Sequence, residues 1–167
     1  EKSAFESNKS LTTISLDGVG TIKTSAFSSC TSLSSVTFKN VDVLQASVFY
    51  LCGDMTELNL DNVRYIGSGS SGMLGSYASV ETLRIGEGTT TIDGNLGDGI
   101  KNLYLPSTLT TISNDNQGLF TNLRDLEHLE YLGSTPLTFT DSTNFMFGYS
   151  SSTMGSDATG EKTAKVH

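Results

Sequence analysis

The chain has 167 residues, about the length of one domain, with 17 glycines and a charged fraction of only 17%. Its formal net charge of −8 disfavours binding to nucleic acids or to anionic membranes, because both are bound mainly by clustered lysines and arginines. No stretch approaches the roughly 20 consecutive apolar residues of a membrane-spanning helix. The abundant serine, threonine and glycine favour short strands and turns over helices.

A motif of the form apolar-x-x-apolar-x-apolar recurs six times along the chain. Its period is nearly constant in the first copies and varies by a few positions later. Such a period is typical of solenoids, in which each turn buries its apolar edge against the next turn. The copies span positions 11–16, 33–38, 55–60, 80–85, 100–105 and 123–128, the last with His128 in an apolar slot.

A second motif follows the predicted strands. It reads Ala26-Phe27-x-x-Cys30 in one turn and Val48-Phe49-x-x-Cys52 in the next, and it degrades later in the chain. These return segments are rich in serine and glycine, so we expect single helical turns at most. We therefore predict a right-handed curved stack of about six turns, with one parallel β-sheet and mostly irregular or short-helical return segments.

The combined motifs resemble the BspA-like leucine-rich repeats, whose pattern reads roughly L-x-x-L-x-L-P, L-x-x-I-G and A-F-x-x-C. The resemblance covers residues 4 to about 133, although only two turns keep the cysteine and one keeps the proline. It implies a leucine-rich-repeat solenoid at the cell surface or in the extracellular space, with a role in adhesion or in binding a protein partner such as a host extracellular protein. The matching segments include Leu103-Tyr104-Leu105-Pro106, Leu109-Thr110-Thr111-Ile112, Tyr65-Ile66-Gly67 and Ala26-Phe27-Ser28-Ser29-Cys30.

The chain is predicted to divide into repeats at residues 1–133 and a C-terminal cap segment at residues 134–167, partly irregular and truncated. A terminal turn must cover the end of the shared core. The cap segment is dominated by serine, threonine and glycine, so a disordered tail beyond Gly148 is the alternative. We expect other domains in a longer parent chain.

The outward side chains of the strands are the predicted binding surface, because strand side chains alternate between two faces. Arg84 and Tyr104 are the strongest candidates, since Arg and Tyr are enriched at interaction hot spots. A merely solvated face is the alternative, and Lys39 is expected to form a charge ladder between Asp17 and Asp61. One predicted column contains Ser15, Thr37, Asn59, Arg84, Tyr104 and Glu127. The candidate partner-binding residues are Glu57, Asn59, Arg84, Tyr104 and Glu127.

Cys30 and Cys52 are separated by one full repeat of the motif. They should occupy equivalent positions on adjacent turns, about 4.8 Å apart. A disulfide is possible at this separation, and metal binding is a further alternative. Buried free thiols are favoured, because free cysteine commonly behaves as a small buried hydrophobe.

Several short motifs are weak signals of function. The glycines of residues 67–72 fit G-x-G-x-x-G, but we interpret them as an inserted loop because no helix is expected after them. Residues 114–118 favour a turn over a calcium site, and His128 is interpreted as structural. Asn8-Lys9-Ser10 is a formal glycosylation sequon, which matters only in a eukaryotic secretory context.

The function predicted from these observations is a non-catalytic interaction or adhesion module that binds a protein partner. We find no nucleophile elbow and no recurring acid, base or metal cluster in the sequence, so no enzyme activity, cofactor or metal is predicted. Neither nucleic-acid binding nor direct membrane insertion is expected. A glycan-binding repeat surface and a structural spacer in a larger surface protein are the alternatives.

Overall fold

The computed structural model describes residues 1–69, 72–75, 79–113, 123–134 and 138–139, and within these ranges the chain forms strands and turns without a helix. All strand pairs are parallel. The strands are β1 Thr13–Asp17, β2 Thr21–Ile22, β3 Ser35–Lys39, β4 Val41–Leu44, β5 Glu57–Leu60, β6 Val63–Gly69, β7 Thr82–Ile85, β8 Thr91–Gly94, β9 Asn102–Leu105, β10 Thr111–Ser113, β11 His128–Tyr131 and β12 Thr138–Phe139.

Each turn contributes one strand to each of two faces of a solenoid. The first face, called the strand face below, consists of the pair β1-β3 and the four-stranded sheet β5-β7-β9-β11. The second face is a six-stranded sheet that contains β2, β4, β6, β8, β10 and β12. The predicted solenoid is confirmed, but the prediction of only one sheet is corrected. The return segments carry buried apolar residues of their own, such as Val41 and Leu44, and their backbone groups pair with the next turn.

The register along the strand face follows the predicted repeat for the first five strands. Leu58, Leu83 and Leu103 lie side by side in successive strands, and Leu16 pairs with Phe38. Inward residues share rows because each turn pairs in parallel with its neighbour.

The sixth copy is displaced from its predicted position. Leu123 to Leu126 form a turn closed by the backbone hydrogen bond from Leu126 to Leu123, and the strand β11 begins only at His128. Leu129 therefore pairs with Leu103, and Glu130 pairs with Tyr104. The predicted place of Glu127 in the Tyr104 column is wrong, because the alternation of Leu129 and Tyr131 sets the inward positions of this strand.

A third side of the solenoid is built from tight turns that pair with one another without forming regular strands. Ser3, Ser25 and Ser47 recur once per turn with positive φ angles of 56°, 58° and 55°. Backbone N–H groups on this side donate to the next turn, for example from Phe5 to Ala26 and from Phe27 to Val48. The left-handed conformation recurs because every turn must bend sharply at the same point while keeping its ladder hydrogen bonds.

Aromatic side chains form a stack inside the first turns. The rings of Phe5, Phe27 and Phe49 are parallel, with centroids 5.3 and 6.0 Å apart. Phe27 and Phe49 are buried, whereas Phe5, in the outermost row, is 47% exposed. The core therefore continues from turn to turn.

Three sequence segments are placed differently from the prediction or lie outside the described residues. Gly67 and Gly69 belong to β6, where the register with β8 shifts, so this part of the glycine motif is strand and not inserted loop. The motif at residues 114–118 lies outside the described residues. So does most of the predicted cap at residues 134–167.

Replacing Phe27 with alanine should destabilise the protein by about 3–5 kcal/mol, because it removes the central ring of the aromatic stack and leaves a cavity. Phe5→Ala is the matched control and should cost clearly less, since that ring is 47% exposed. Urea unfolding of both variants measures the difference. Equal losses of stability would contradict the continuous core.

Candidate functional site

The strand face places three of the five predicted partner-binding residues in a continuous row. Nε of Arg84 lies 3.2 Å from Oε1 of Glu57, and the Arg84 guanidinium carbon lies 3.7 Å from the centre of the Tyr104 ring. Arg84 and Tyr104 are direct partners in the register of β7 and β9. Glu57, whose register partner is Thr82, contacts Arg84 diagonally from β5 to β7, a separation that long side chains can span.

The row continues onto β11 with two residues that the sequence analysis did not select for binding. The ring of His128 lies 5.3 Å from that of Tyr104, tilted by 48°. Nε2 of His128 is 3.6 Å from Oε2 of Glu130. Their signal in the sequence is the alternation His128-Leu129-Glu130-Tyr131, which marks a strand one turn after Asn102-Leu103-Tyr104-Leu105. The continuous row of Glu57, Arg84, Tyr104, His128 and Glu130 is called the Arg–Tyr row below.

The charge interactions of the Arg–Tyr row orient its side chains but contribute little to the stability of the fold. Partial burial lowers the pKa of Arg84, but its contacts with Tyr104 and Glu57 outweigh this effect and raise the pKa overall. The side chains of Arg84 and Glu57 are 42% and 59% exposed, so their ion pair contributes only about 0–1 kcal/mol. The main effect is that the guanidinium is held over the face of an aromatic ring on the protein surface.

A second ion pair lies beside the row, just before strands β7 and β9. Nζ of Lys101 is 2.7 Å from Oε1 of Glu81. The hydrogen bond and the charge of Glu81 raise the pKa of Lys101, with smaller contributions from Glu127 and Asp125. Glu127 therefore lies at the rim of the strand face and not in the Arg–Tyr row, and its backbone N–H donates to the carbonyl of Lys101.

The remaining predictions for this face have mixed outcomes. Asn59 is exposed and is the register partner of Arg84, as predicted. Lys39 is the register partner of Asp17, as the predicted charge ladder requires, but Asp17 accepts a hydrogen bond of 2.9 Å from the Asn40 side chain instead. The ion pairs recorded in the described part of the chain do not include Lys39. Asn40 has a positive φ of 54°, and this corner conformation places its amide near the preceding turn.

Cys30 and Cys52 are both buried free thiols, as predicted. The thiol of Cys30 donates to the carbonyl of Phe5 and that of Cys52 to the carbonyl of Phe27, over 3.1 and 3.2 Å. Burial raises the pKa of Cys30. Burial and, secondarily, the charge of Cys30 raise the pKa of Cys52 to about 12. Both thiols therefore link adjacent turns and are held in the unreactive protonated form.

Among the described residues, no group of three or more histidine, cysteine and acidic side chains is arranged to hold a metal ion. No helix within the same ranges has the length and apolarity needed to cross a bilayer. A polar cluster on the second face consists of Asp93, Tyr65 and Ser113. The carboxylate of Asp93 accepts hydrogen bonds from the hydroxyls of Tyr65 and Ser113. This cluster joins neighbouring strands of the six-stranded sheet.

Comparison with known protein families gives a match to the model described as BspA type Leucine rich repeat region, with six copies over residues 1–127. The chain belongs to this family. The resemblance inferred from the sequence motifs is therefore confirmed. Searches of curated proteins and of solved structures found no significant match. Leucine-rich repeats of this type are generally non-enzymatic, typically surface-associated and used in protein–protein interactions, which agrees with a repeat-based interaction module.

Thiol chemistry tests the buried cysteines. Under denaturing, non-reducing conditions the chain should titrate as two free thiols. In the folded protein at about pH 8, alkylation of Cys52 should be at least ~100-fold slower than in denaturant, because only about one Cys52 in 10⁴ is thiolate when its pKa is about 12. The alkylation rate should rise as the pH increases towards that pKa. Titration of no thiols after denaturation would demonstrate a disulfide instead.

Proposed function

We propose that this chain is a non-catalytic cell-surface or secreted module that binds a protein partner through its strand face. The observation that carries the proposal is the stack of Arg84 on Tyr104, which is held in place by Glu57 on one side and by His128 on the other. A preformed Arg–Tyr pair loses little conformational entropy on binding, and both residue types are common interaction hot spots.

The arrangement of side chains around Tyr104 also favours a protein over a sugar as the partner. A glycan site usually presents an open aromatic face, but Arg84 lies 3.7 Å above the ring of Tyr104, and His128 flanks the same ring. A sugar would have to displace one of these neighbours. A flat polypeptide surface could instead contact the edges of the whole row, with acidic groups pairing to Arg84 and basic groups to Glu57 or Glu130.

An array of purified extracellular and cell-surface proteins, probed with the folded chain, tests this proposal. For the partner detected, Tyr104→Ala and Arg84→Ala should each weaken binding by about 2 kcal/mol, roughly 30-fold, because they remove the centre of the contact. Thr37→Ala, on the exposed outward face of β3, is the matched control and should change affinity by less than about 0.5 kcal/mol.

Three results would count against the proposal. Binding to a glycan array that is lost in Tyr104→Ala would favour sugar recognition. Partner binding that is unaffected by both row variants would place the interface elsewhere. A complete lack of binding to the protein array would favour the spacer function.

A further inference from the structure

The second face of the solenoid carries one aromatic side chain among shorter ones. Tyr65 lies on β6, and the direct register partners along its row are Val43, Thr91 and Thr111. All four residues are partly exposed. Because β6 pairs with β4 on one side and with β8 on the other, Tyr65 belongs to an interior turn of the stack. Its exposure therefore comes from its outward position in the sheet.

The ring of Tyr65 lies along the sheet surface. Side chains on a strand normally stand roughly perpendicular to the sheet. The hydroxyl of Tyr65 instead reaches across to β8 and donates a hydrogen bond of 2.7 Å to Oδ2 of Asp93. Asp93 is the register partner of Gly67, which follows Tyr65 by two residues. The ring thus passes over β6 towards the next strand, so that one of its faces is directed away from the sheet.

Tyr65 can take this position because residue 67 has no side chain. A Cβ atom at Gly67 would lie 2.7 Å from Cε1 of Tyr65 and 3.5 Å from its Cζ, and the first distance is too short for real side chains. The φ angle of Gly67 is not in the left-handed region, so its backbone would accept another residue. Its neighbours in the same row, Asp93 and Ser113, do carry side chains. The glycine therefore serves the ring and not the backbone.

The carboxylate beside the ring is held from two strands. Ser113 on β10 donates to Oδ1 of Asp93 over 2.8 Å, and Tyr65 donates to Oδ2. An ionised carboxylate has about four lone-pair sites, and each hydroxyl that donates keeps its own acceptor lone pairs. The cluster therefore joins a flat apolar surface to several hydrogen-bond acceptors whose positions are fixed.

We propose that this cluster is a saccharide-binding site, with Tyr65 as the stacking platform and Asp93 and Ser113 as the polar contacts. A sugar ring has apolar C–H groups on its broad sides and hydroxyl groups around its edge. The C–H groups pack on the free side of the aromatic ring, and the hydroxyls donate to the acceptors at its end. A platform that is already oriented loses little conformational entropy on binding. The negative charge of Asp93 favours a neutral saccharide over an acidic one.

The site is separate from the proposed partner surface. Tyr65 and Asp93 are on the six-stranded sheet, whereas Arg84 and Tyr104 are on the strand face. At Tyr104 the ring is covered by a guanidinium at 3.7 Å, but at Tyr65 the recorded polar contact is made by the hydroxyl at the end of the ring. The inference goes beyond the proposed function and does not depend on partner binding at the strand face.

An array of immobilised oligosaccharides, probed with the whole chain, tests the site. It carries neutral glycans built from glucose, mannose or galactose and acidic glycans that contain uronic acids. We expect binding to at least one neutral glycan, and its soluble form then serves for titrations. Tyr65→Ala should lower the affinity for it at least roughly tenfold, because the stacking surface is lost. Gly67→Ala should also lower it, because the new Cβ displaces the ring.

Two further variants make the test decisive. Gly67→Ala should fold even where Tyr65→Ala does not, since only the far end of one side chain opposes its Cβ, and circular dichroism verifies the fold of each variant. Tyr104→Ala is the matched control, because it removes an aromatic ring from the strand face. It should bind the neutral glycan like the parent chain.

The possible outcomes separate this inference from the proposed function. Glycan binding that is weakened in Gly67→Ala and kept in Tyr104→Ala supports the site. No binding to any neutral glycan, binding to acidic glycans alone, or full affinity in a folded Gly67→Ala variant overturns it. Loss of glycan binding in Tyr104→Ala also overturns it, by placing sugar recognition on the strand face. Binding in the protein array is measured independently, and Tyr65→Ala should leave it unchanged.

Discussion

The structure depends on the parallel hydrogen-bond ladder that joins each turn to the next. A single turn exposes unpaired N–H and C=O groups on both of its edges and cannot bury its own apolar side chains. Stacking of turns in register pairs the backbone groups and buries the apolar side chains at the same time. The register in turn brings Leu58, Leu83 and Leu103 into one inward row and Asn59, Arg84 and Tyr104 into one outward row. Core and surface are therefore two consequences of the same pairing.

Side-chain hydrogen bonds reinforce this ladder at the corner between the two sheet faces. The Asn40 amide donates to Asp17 and the Asn62 amide to the carbonyl of Phe38. In later turns the buried hydroxyl of Thr89 donates to the carbonyl of Val63, and the partly buried hydroxyl of Thr108 donates to the carbonyl of Thr89. Different residue types thus perform one task, because only a short polar side chain is needed to reach the preceding turn. The two thiols do the same on the third side of the solenoid.

The Arg–Tyr row shows how such a scaffold can hold an ordered set of polar and aromatic side chains on its surface. Inward positions are constrained by packing, whereas outward positions need only tolerate the pleated sheet. One turn supplies Glu57, the next Arg84, the next Tyr104, and the last His128 and Glu130. Each contact is weak by itself in water. Together they fix the orientation of one cation and one aromatic ring on the surface of the strand face.

The sequence by itself determined the solenoid, the inward rows and the contact between Arg84 and Tyr104. A nearly constant repeat period fixes which side chains are neighbours whenever successive turns pair in register. Tertiary structure decided the second sheet, since short segments such as Val41–Leu44 become strands only when the neighbouring turn supplies their hydrogen-bond partners. It also decided the start of β11: Leu126 and Leu129 both fit an apolar repeat, and only pairing with Leu103 selects Leu129. Where the length of the turns varies, the apolar sequence pattern is compatible with more than one register. The hydrogen bonds between neighbouring turns then decide which register forms.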